Sequence, residues 1–174
     1  MSDLIGKSVK RVEDNRLLKG EGKYTDDFNM PNQAIGVYVR SPHAHANLVS
    51  VDISAAEAMG GVIKIFTGKD IKDAGIVGSI CGWQVDFKNG DTMKEPGHPI
   101  LAVDKVRHVG DAVALVIAED KGTAVDAAAA VEVNYEVLDA IVDPKAATQD
   151  GAPQVHDDVP NNTIFDWELG NKDE

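Results

Sequence analysis

Alternation of apolar and polar residues predicts most of the secondary structure in this chain. Between residues 34 and 40, Ile35, Val37 and Val39 occupy every second position, which is typical of a strand with one buried face. Ser41-Pro42 then ends the strand, because proline has no amide hydrogen to donate to a sheet. The same reasoning predicts further strands at 48–53, 62–66, 100–106, 112–118 and 131–137.

Helical periodicity is clearest between residues 123 and 131. Four small or medium apolar residues there follow the i, i+3, i+4, i+7 spacing of one helix face, namely Ala124, Ala127, Ala128 and Val131. Because alanine projects so little from the helix, such a face allows a helix to lie close to a sheet. We expect a helix packed tightly on the strands around it.

Local signals predict three shorter helical segments. Ser54-Ala55-Ala56-Glu57 matches a capping box, in which the serine hydroxyl bonds the N3 amide, and Gly60-Gly61 ends the helix. Thr67-Gly68-Lys69-Asp70 opens a single turn, and Asp143-Pro144 supplies an N-cap followed by proline. The early helix is too short for an ordinary parallel crossover, so the predicted fold class is α+β with a mixed or antiparallel sheet.

The segment 68–98 is irregular and rich in glycine. A connection of about 30 residues exceeds the usual loop length, so it is either a functional loop or contains short strands, with 76–80 and 84–87 as candidates. Trp83, Gln84 and Phe87 lie within it. They line either a substrate passage or subunit interface, or they form a small satellite core that holds the loop.

Composition divides the chain into three parts. Residues 1–19 are mostly polar and predict an N-terminal arm, residues 20–147 predict the folded domain, and residues 148–174 predict a connector. The connector ends with four large apolar side chains that we expect to pack on a neighbouring surface: Ile164, Phe165, Trp167 and Leu169.

Charge and cysteine content exclude several classes of function. The 174 residues carry a formal net charge of −12, which repels nucleic-acid phosphates and anionic membrane surfaces. The single cysteine, Cys81, cannot form an intramolecular disulfide or provide the roughly four thiolates of an iron–sulfur cluster. The N-terminus has no signal-peptide h-region and no stretch has the length of a membrane span, so we expect a cytoplasmic protein without nucleic-acid or membrane partners.

Candidate chemical groups are few and incomplete. His43 and His45 face the same side of an extended segment, as two metal ligands would, but no further ligand motif completes the set. Cys81 with His98 or His108 as base lacks any sign of an activated thiol. We interpret these residues as structural.

Glycines and paired acids also fail as site motifs. Gly20-Glu21-Gly22 lacks the third glycine of a dinucleotide fingerprint, and Thr67-Gly68-Lys69-Asp70 lacks the first glycine of a P-loop. Both are better explained as turns. Asp26-Asp27 and Asp157-Asp158 are adjacent in sequence and do not face each other across a cleft, so we expect solvated charge rather than acid–base pairs.

Several stretches resemble one enzyme family. The run from Ile100 to Asp139 is similar to the N-terminal a/b hammerhead domain of the large, molybdopterin-binding subunit of molybdenum hydroxylases, such as xanthine dehydrogenase, aldehyde oxidase and carbon monoxide dehydrogenase. Four further stretches resemble motifs of that subunit: Gly6 to Asp27, Arg40 to Ala46 (R-S-x-x-A-H-A), Val62 to Asp70 (V-x-x-[VI]-[FL]-T-x-x-D) and Val109 to Ala114 (V-G-[DE]-[PA]-[VI]-A). They follow one another in the family's order.

The resemblance implies a hammerhead-type scaffold within a larger oxidoreductase. Such parents hydroxylate aldehydes or N-heterocycles, or oxidise carbon monoxide, with water as the oxygen source. They use molybdenum–molybdopterin in the large subunit and FAD and iron–sulfur clusters in partner subunits. The family's cofactor loops and catalytic glutamate come later in its chain, so we assign no catalytic, cofactor-binding or metal-binding residue here.

The implied partners are the remainder of the large subunit and the flavin and iron–sulfur subunits, in an oligomeric complex. We expect the isolated chain to be inactive. The alternative is a free-standing, non-catalytic scaffold or assembly module that holds partner subunits.

Overall fold

A computed structural model describes residues 5–170 of the protein. The chain divides into two compact units, Met1–Gln33 and Ala34–Glu174. The predicted boundaries after residues 19 and 147 stay predictions. Within the first unit, a short helix α1 (Asp14–Leu18) and a 3-10 turn (Thr25–Asp27) contain no buried residue, and no such helix was predicted from the sequence.

The second unit contains six strands among the described residues. They are β1 (Ile35–Arg40), β2 (Ala46–Asp52), β3 (Val62–Thr67), β4 (Lys105–Val106), β5 (Ala112–Ala118) and β6 (Glu132–Val137). The helices are α2 (Ser54–Glu57), α3 (Gly68–Asp73), α4 (Lys121–Ala130) and α5 (Pro144–Ala147), with a 3-10 turn at Pro160–Asn162.

The strands form two three-stranded antiparallel sheets. Sheet 1 has the order β1-β5-β3, and sheet 2 has the order β4-β2-β6. Each sheet is therefore built from strands that are distant in sequence, with β5 and β2 in the central positions. The predicted α+β class with an antiparallel sheet is confirmed.

Helix α4 packs on one face of sheet 1 through alanine. Ala124 and Ala127 are fully buried with Ala114 and Val116 of β5, and Val131 is nearly so. The predicted small-residue face is thus the buried face. The helix starts two residues earlier than predicted, because the Asp120 side chain accepts a hydrogen bond from the Thr123 amide at 3.0 Å and fixes the N-cap.

A second core lies beside sheet 2. Ala46, Ala102, Val106 and Val113 are buried there. Val51 and Val133 are directly opposite each other in the β2–β6 pair and contact both cores. This valine pair joins the two halves of the unit.

Two local predictions were wrong. The predicted strand at 100–106 is reduced to Lys105–Val106, because the backbone ahead of it crosses between the sheets: the Ala102 amide donates to Ala112 of sheet 1, and the Leu48 amide of sheet 2 donates to Asp104. The capping box at Ser54 is also absent. The Ser54 hydroxyl and amide both donate to the Asp52 carboxylate, at 2.6 and 2.9 Å, and Ile53 takes the N-cap position.

Overpacking the α4 interface tests its importance. Ala127→Leu adds three carbons where the helix lies against β5, so we expect a loss of about 1–3 kcal/mol in unfolding free energy. Ala129→Leu places the same side chain on the exposed side of the same helix and should change stability by less than about 0.5 kcal/mol. Urea denaturation of both variants measures the difference, and equal losses would contradict the packing described here.

Candidate functional site

The irregular segment after α3 folds against the C-terminal segment. The Lys88 amide donates to the Asp166 carbonyl at 2.9 Å, and the Lys94 amide donates to the Ile164 carbonyl at 2.9 Å. The candidate strands at 76–80 and 84–87 are single bridges only, Ser79 with His98 and Asp86 with Thr92. The two segments therefore stabilise each other without a regular sheet.

Two tryptophans connect these segments. Trp83 and Trp167 pack edge to face, with ring centroids 5.5 Å apart and an interplanar angle of 80°. Trp83 is nevertheless 69% exposed and Trp167 41% exposed. The rings therefore form a small satellite contact between the two segments and leave an apolar surface exposed. The substrate passage or subunit interface stays a prediction. Leu169 remains 87% exposed.

A cavity of about 360 Å³ lies beneath the same loop. It is lined mainly by apolar groups, including Ile80, Met93, Pro96, Ile164 and Phe165. Its volume falls within the range typical of small-ligand pockets. Cys81 and His98 also line it, but the Cys81 thiol donates to the Trp83 carbonyl at 2.8 Å. The thiol thus closes a local turn and is not paired with a histidine base.

A second, polar cavity of about 150 Å³ lies nearby. Its polar lining residues are His98, Lys105, Arg107, His108, Asp111 and His156. The rings of His98 and His156 pack edge to face with centroids 6.0 Å apart. Sequence reasoning missed this group, although Lys105 and Arg107 are two apart on an extended segment and therefore project to the same side.

The environment of His156 favours its neutral form. Burial is the main cause that lowers the pKa of His156, and the charges of Arg107 and His98 act in the same direction. The acidic neighbours Asp157 and Asp158 act against this shift. Protonation of His156 is therefore disfavoured both by desolvation and by the positive charge of its neighbours.

The acidic pair Asp157-Asp158 is not an acid–base dyad. Lys105 Nζ donates to both oxygens of Asp157, at 2.9 and 3.2 Å, and this hydrogen bond is the main cause that lowers the pKa of Asp157. The Asp157 side chain is 78% exposed. This ion pair fastens the C-terminal segment to β4.

The two histidines of the Ser-Pro-His-Ala-His motif make separate contacts. The His43 ring packs against Tyr135 with centroids 4.9 Å apart. Nδ1 of His45 lies 2.8 Å from the Asp139 carbonyl, so this nitrogen carries the hydrogen, and Nε2 is buried without a hydrogen-bond partner. Residues 5–170 contain no group of three or more His, Cys, Asp or Glu side chains arranged to hold a metal ion.

The remaining motifs have structural roles. Asp70 accepts hydrogen bonds from the Thr67 amide and hydroxyl, at 2.7 and 2.6 Å, which lowers the pKa of Asp70 and caps α3. A side chain on Gly68 would collide with the Ala102 backbone, so this glycine is required for packing. Asp27 caps its 3-10 turn by accepting from the Tyr24 amide, and Gly20 has a positive φ of 72°.

Sheet 1 has a partly exposed apolar face opposite α4. Leu115 and Ile117 of β5 lie there, and Tyr38 and Phe66, the two cross-strand neighbours of Leu115, share that face. Tyr38 is 42% exposed, and the Arg40 guanidinium lies 5.1 Å from its ring centroid. We call Tyr38, Phe66, Leu115 and Ile117 the outer face of sheet 1. Apolar surface of this kind is typical of interfaces.

Comparison with known proteins gives consistent matches. A family model described as "Aldehyde oxidase and xanthine dehydrogenase, a/b hammerhead domain" matches residues 19–139. The carbon monoxide dehydrogenase large chain of Afipia carboxidovorans is 35% identical, over 97% of this chain and 21% of the relative. The xanthine dehydrogenase molybdenum-binding subunit of Escherichia coli O157:H7 is 37% identical, over 84% of this chain and 19% of the relative.

A solved structure has the same fold. The crystal structure of the Cu,Mo-CO dehydrogenase in its carbon monoxide reduced state matches with a TM-score of 0.71 and 35% identity. The match covers 97% of this chain and 21% of that chain. The chain thus spans about a fifth of the length of the proteins it matches. No helix within residues 5–170 has both the length and the apolar content to cross a membrane.

The depressed pKa of His156 predicts a pH dependence of stability. The native state binds fewer protons than the unfolded state below the ordinary histidine pKa of about 6.5, so stability is full above that pH and falls as pH decreases. We expect the unfolding free energy to fall as the pH decreases below about 6.5, and to fall less in His156→Gln. Denaturant titrations at several pH values measure this. His43→Gln, outside the cavity, should keep the full slope, and a slope unchanged in His156→Gln would contradict the assignment.

Proposed function

Since the chain belongs to the aldehyde oxidase and xanthine dehydrogenase family and contains its a/b hammerhead domain, we propose that it serves as the scaffold domain of a molybdenum hydroxylase large subunit. The observation that carries this proposal is the match over 97% of the chain to about a fifth of a carbon monoxide dehydrogenase large chain. The family resemblance predicted from the sequence motifs is confirmed.

The parent protein, we infer, is an oxidoreductase of the cytoplasm. It oxidises an aldehyde, an N-heterocycle or carbon monoxide with water as the oxygen source. Relatives named for carbon monoxide and for xanthine both match this chain, which supports the reaction class without selecting a substrate. Molybdenum–molybdopterin would supply the oxidative chemistry, and FAD and iron–sulfur clusters in partner subunits would accept the electrons.

The motifs of this chain lack the features of iron–sulfur and nucleotide sites. One cysteine cannot hold an iron–sulfur cluster, Gly20-Glu21-Gly22 lacks the third glycine of a dinucleotide fingerprint, and Thr67-Gly68-Lys69-Asp70 lacks the first glycine of a P-loop. The described side chains form no metal-ligand group. We therefore propose that polypeptide outside these residues holds every redox group, and that the isolated 174-residue chain has no oxidoreductase activity.

Two apolar surfaces support a scaffold role. The outer face of sheet 1 and the Trp83/Trp167 surface are both available to a neighbouring domain or subunit. Aromatic side chains that bury their rings on binding contribute disproportionately to interfaces. We propose that the outer face of sheet 1 packs against the remainder of the large subunit, and that the tryptophan surface contacts another part of the complex.

The full reading frame tests the proposal. We expect the coding sequence to continue past Glu174. The complete protein, purified with its neighbouring subunits, should contain about one molybdenum per large chain. The 174-residue chain should contain none. A stop codon directly after Glu174 would instead favour the alternative, a free-standing scaffold that binds partner subunits. Inductively coupled plasma mass spectrometry measures the metal content.

A substitution separates the scaffold role from catalysis. Tyr38→Asp places a charge on the outer face of sheet 1, so we expect about a tenfold lower yield of assembled, molybdenum-loaded complex. Turnover per molybdenum should stay unchanged, because the residue touches no reacting atom. Val125→Asp, on a partly exposed position of α4, is the matched control and should assemble normally. Lower turnover per molybdenum with normal assembly would contradict the scaffold role.

A further inference from the structure

The polar cavity differs in charge from the rest of the protein. The chain has a formal net charge of −12, yet five of the six polar residues that line this cavity are basic or imidazole side chains. Asp111 is the only carboxylate among them. Two cationic side chains and three imidazoles around one cavity create a local preference for anions on an otherwise acidic protein.

Arg107 is held in a fixed position at this cavity. Its Nε donates to the Val155 carbonyl and its Nη1 to the Lys105 carbonyl, both at 3.2 Å. These two bonds use two of the five N–H donors of a guanidinium group. The remaining donors belong to a side chain that is already oriented, so a ligand would lose little free energy in ordering it.

Two carboxylates near the cavity are already engaged. Asp111 accepts a hydrogen bond from the Arg107 amide at 3.0 Å and lies 3.7 Å from Nδ1 of His108. Asp157 is paired with Lys105. Asp111 and Asp157 therefore hold parts of the cavity wall in place.

The imidazoles of the cavity repel one another when protonated. Burial is the main cause that lowers the pKa of His156, the charges of Arg107 and His98 add to it, and Asp157 and Asp158 oppose it. The His156 ring packs edge to face with that of His98. A bound anion would reverse this balance, because it places negative charge between the three basic groups. Anion binding and proton uptake are therefore coupled at this cavity.

We propose that this cavity binds a small oxyanion of the sulfate or phosphate class, with Arg107 as the permanent donor and the imidazoles of His98, His156 and His108 as further hydrogen-bond donors. The volume of about 150 Å³ is several times that of a water molecule and accommodates such an ion. A cation is disfavoured, because Lys105 and Arg107 line the same space. The proposal does not depend on the proposed function of the parent enzyme.

Sulfate is the sharpest probe, because its charge stays constant over the range in which histidine titrates. Calorimetric titration of the 174-residue protein should show one saturable site, about tenfold tighter near pH 6 than near pH 8. In NMR titrations sulfate should raise the pKa of His156, while sodium chloride at matched ionic strength should not. Inorganic phosphate and methyl phosphate, compared at one pH, distinguish a site for free oxyanions from one that also takes phosphate monoesters.

Variants identify the site. His156→Gln and His98→Gln should each weaken sulfate binding and flatten its pH dependence, whereas His43→Gln, which lies outside the cavity, should bind like the unchanged protein. Their circular dichroism spectra report whether each variant is folded. The proposal is overturned if no saturable binding is found, if chloride reproduces it, or if folded His156→Gln and His98→Gln both bind sulfate as the unchanged protein does.

Discussion

The close approach of α4 to β5 is the contact on which the rest of the structure depends. Ala124 and Ala127 allow the helix backbone to lie near Ala114 and Val116, where larger side chains would hold the two elements apart. Dispersion forces weaken steeply with distance, so a small-residue interface gains many short contacts at once. Because β5 is central in sheet 1, this contact positions β1 and β3 as well.

The position of β5 then determines which surfaces carry function. Its inner residues face α4, Val113 enters the second core, and Leu115 and Ile117 are left on the outer face. The turn before it contains Arg107 and Asp111, which form part of the polar cavity. One strand thus connects the packed interior, the proposed docking face and the proposed oxyanion site.

Local sequence patterns predicted the elements that depend on local physics. The alternation of Ile35, Val37 and Val39 corresponds to a half-buried strand face, and the alanine spacing of α4 corresponds to a buried helix face. The prediction of a strand at 100–106 was wrong because Ala102 and Asp104 bond to different sheets. A local sequence pattern does not show such a crossing. The predicted capping box at Ser54 is absent because Asp52, two residues earlier, accepts the hydrogen bond of the Ser54 hydroxyl.

The candidate sites depend on contacts between distant parts of the sequence. Lys105 and Asp157 are separated by 52 positions, and the pairs Trp83–Trp167 and His98–His156 also join the irregular segment to the C-terminal segment. The sequence identified Trp83, Trp167, His98 and Asp157 as candidates but showed the partner of none of them, and it did not identify Lys105 or His156. The functional prediction came instead from the family motifs, because they are spread over the whole domain.

Exposed apolar surface is the physical reason to expect a larger assembly around this domain. Val77, Ile80 and Trp83 are each more than two-thirds exposed, in one irregular segment that also borders a cavity of about 360 Å³. A soluble domain gains stability by burying such groups, and here the protein's own C-terminal segment covers them only in part. Packing against further polypeptide would complete that burial. This exposed surface is what makes a supporting role within a larger assembly physically reasonable.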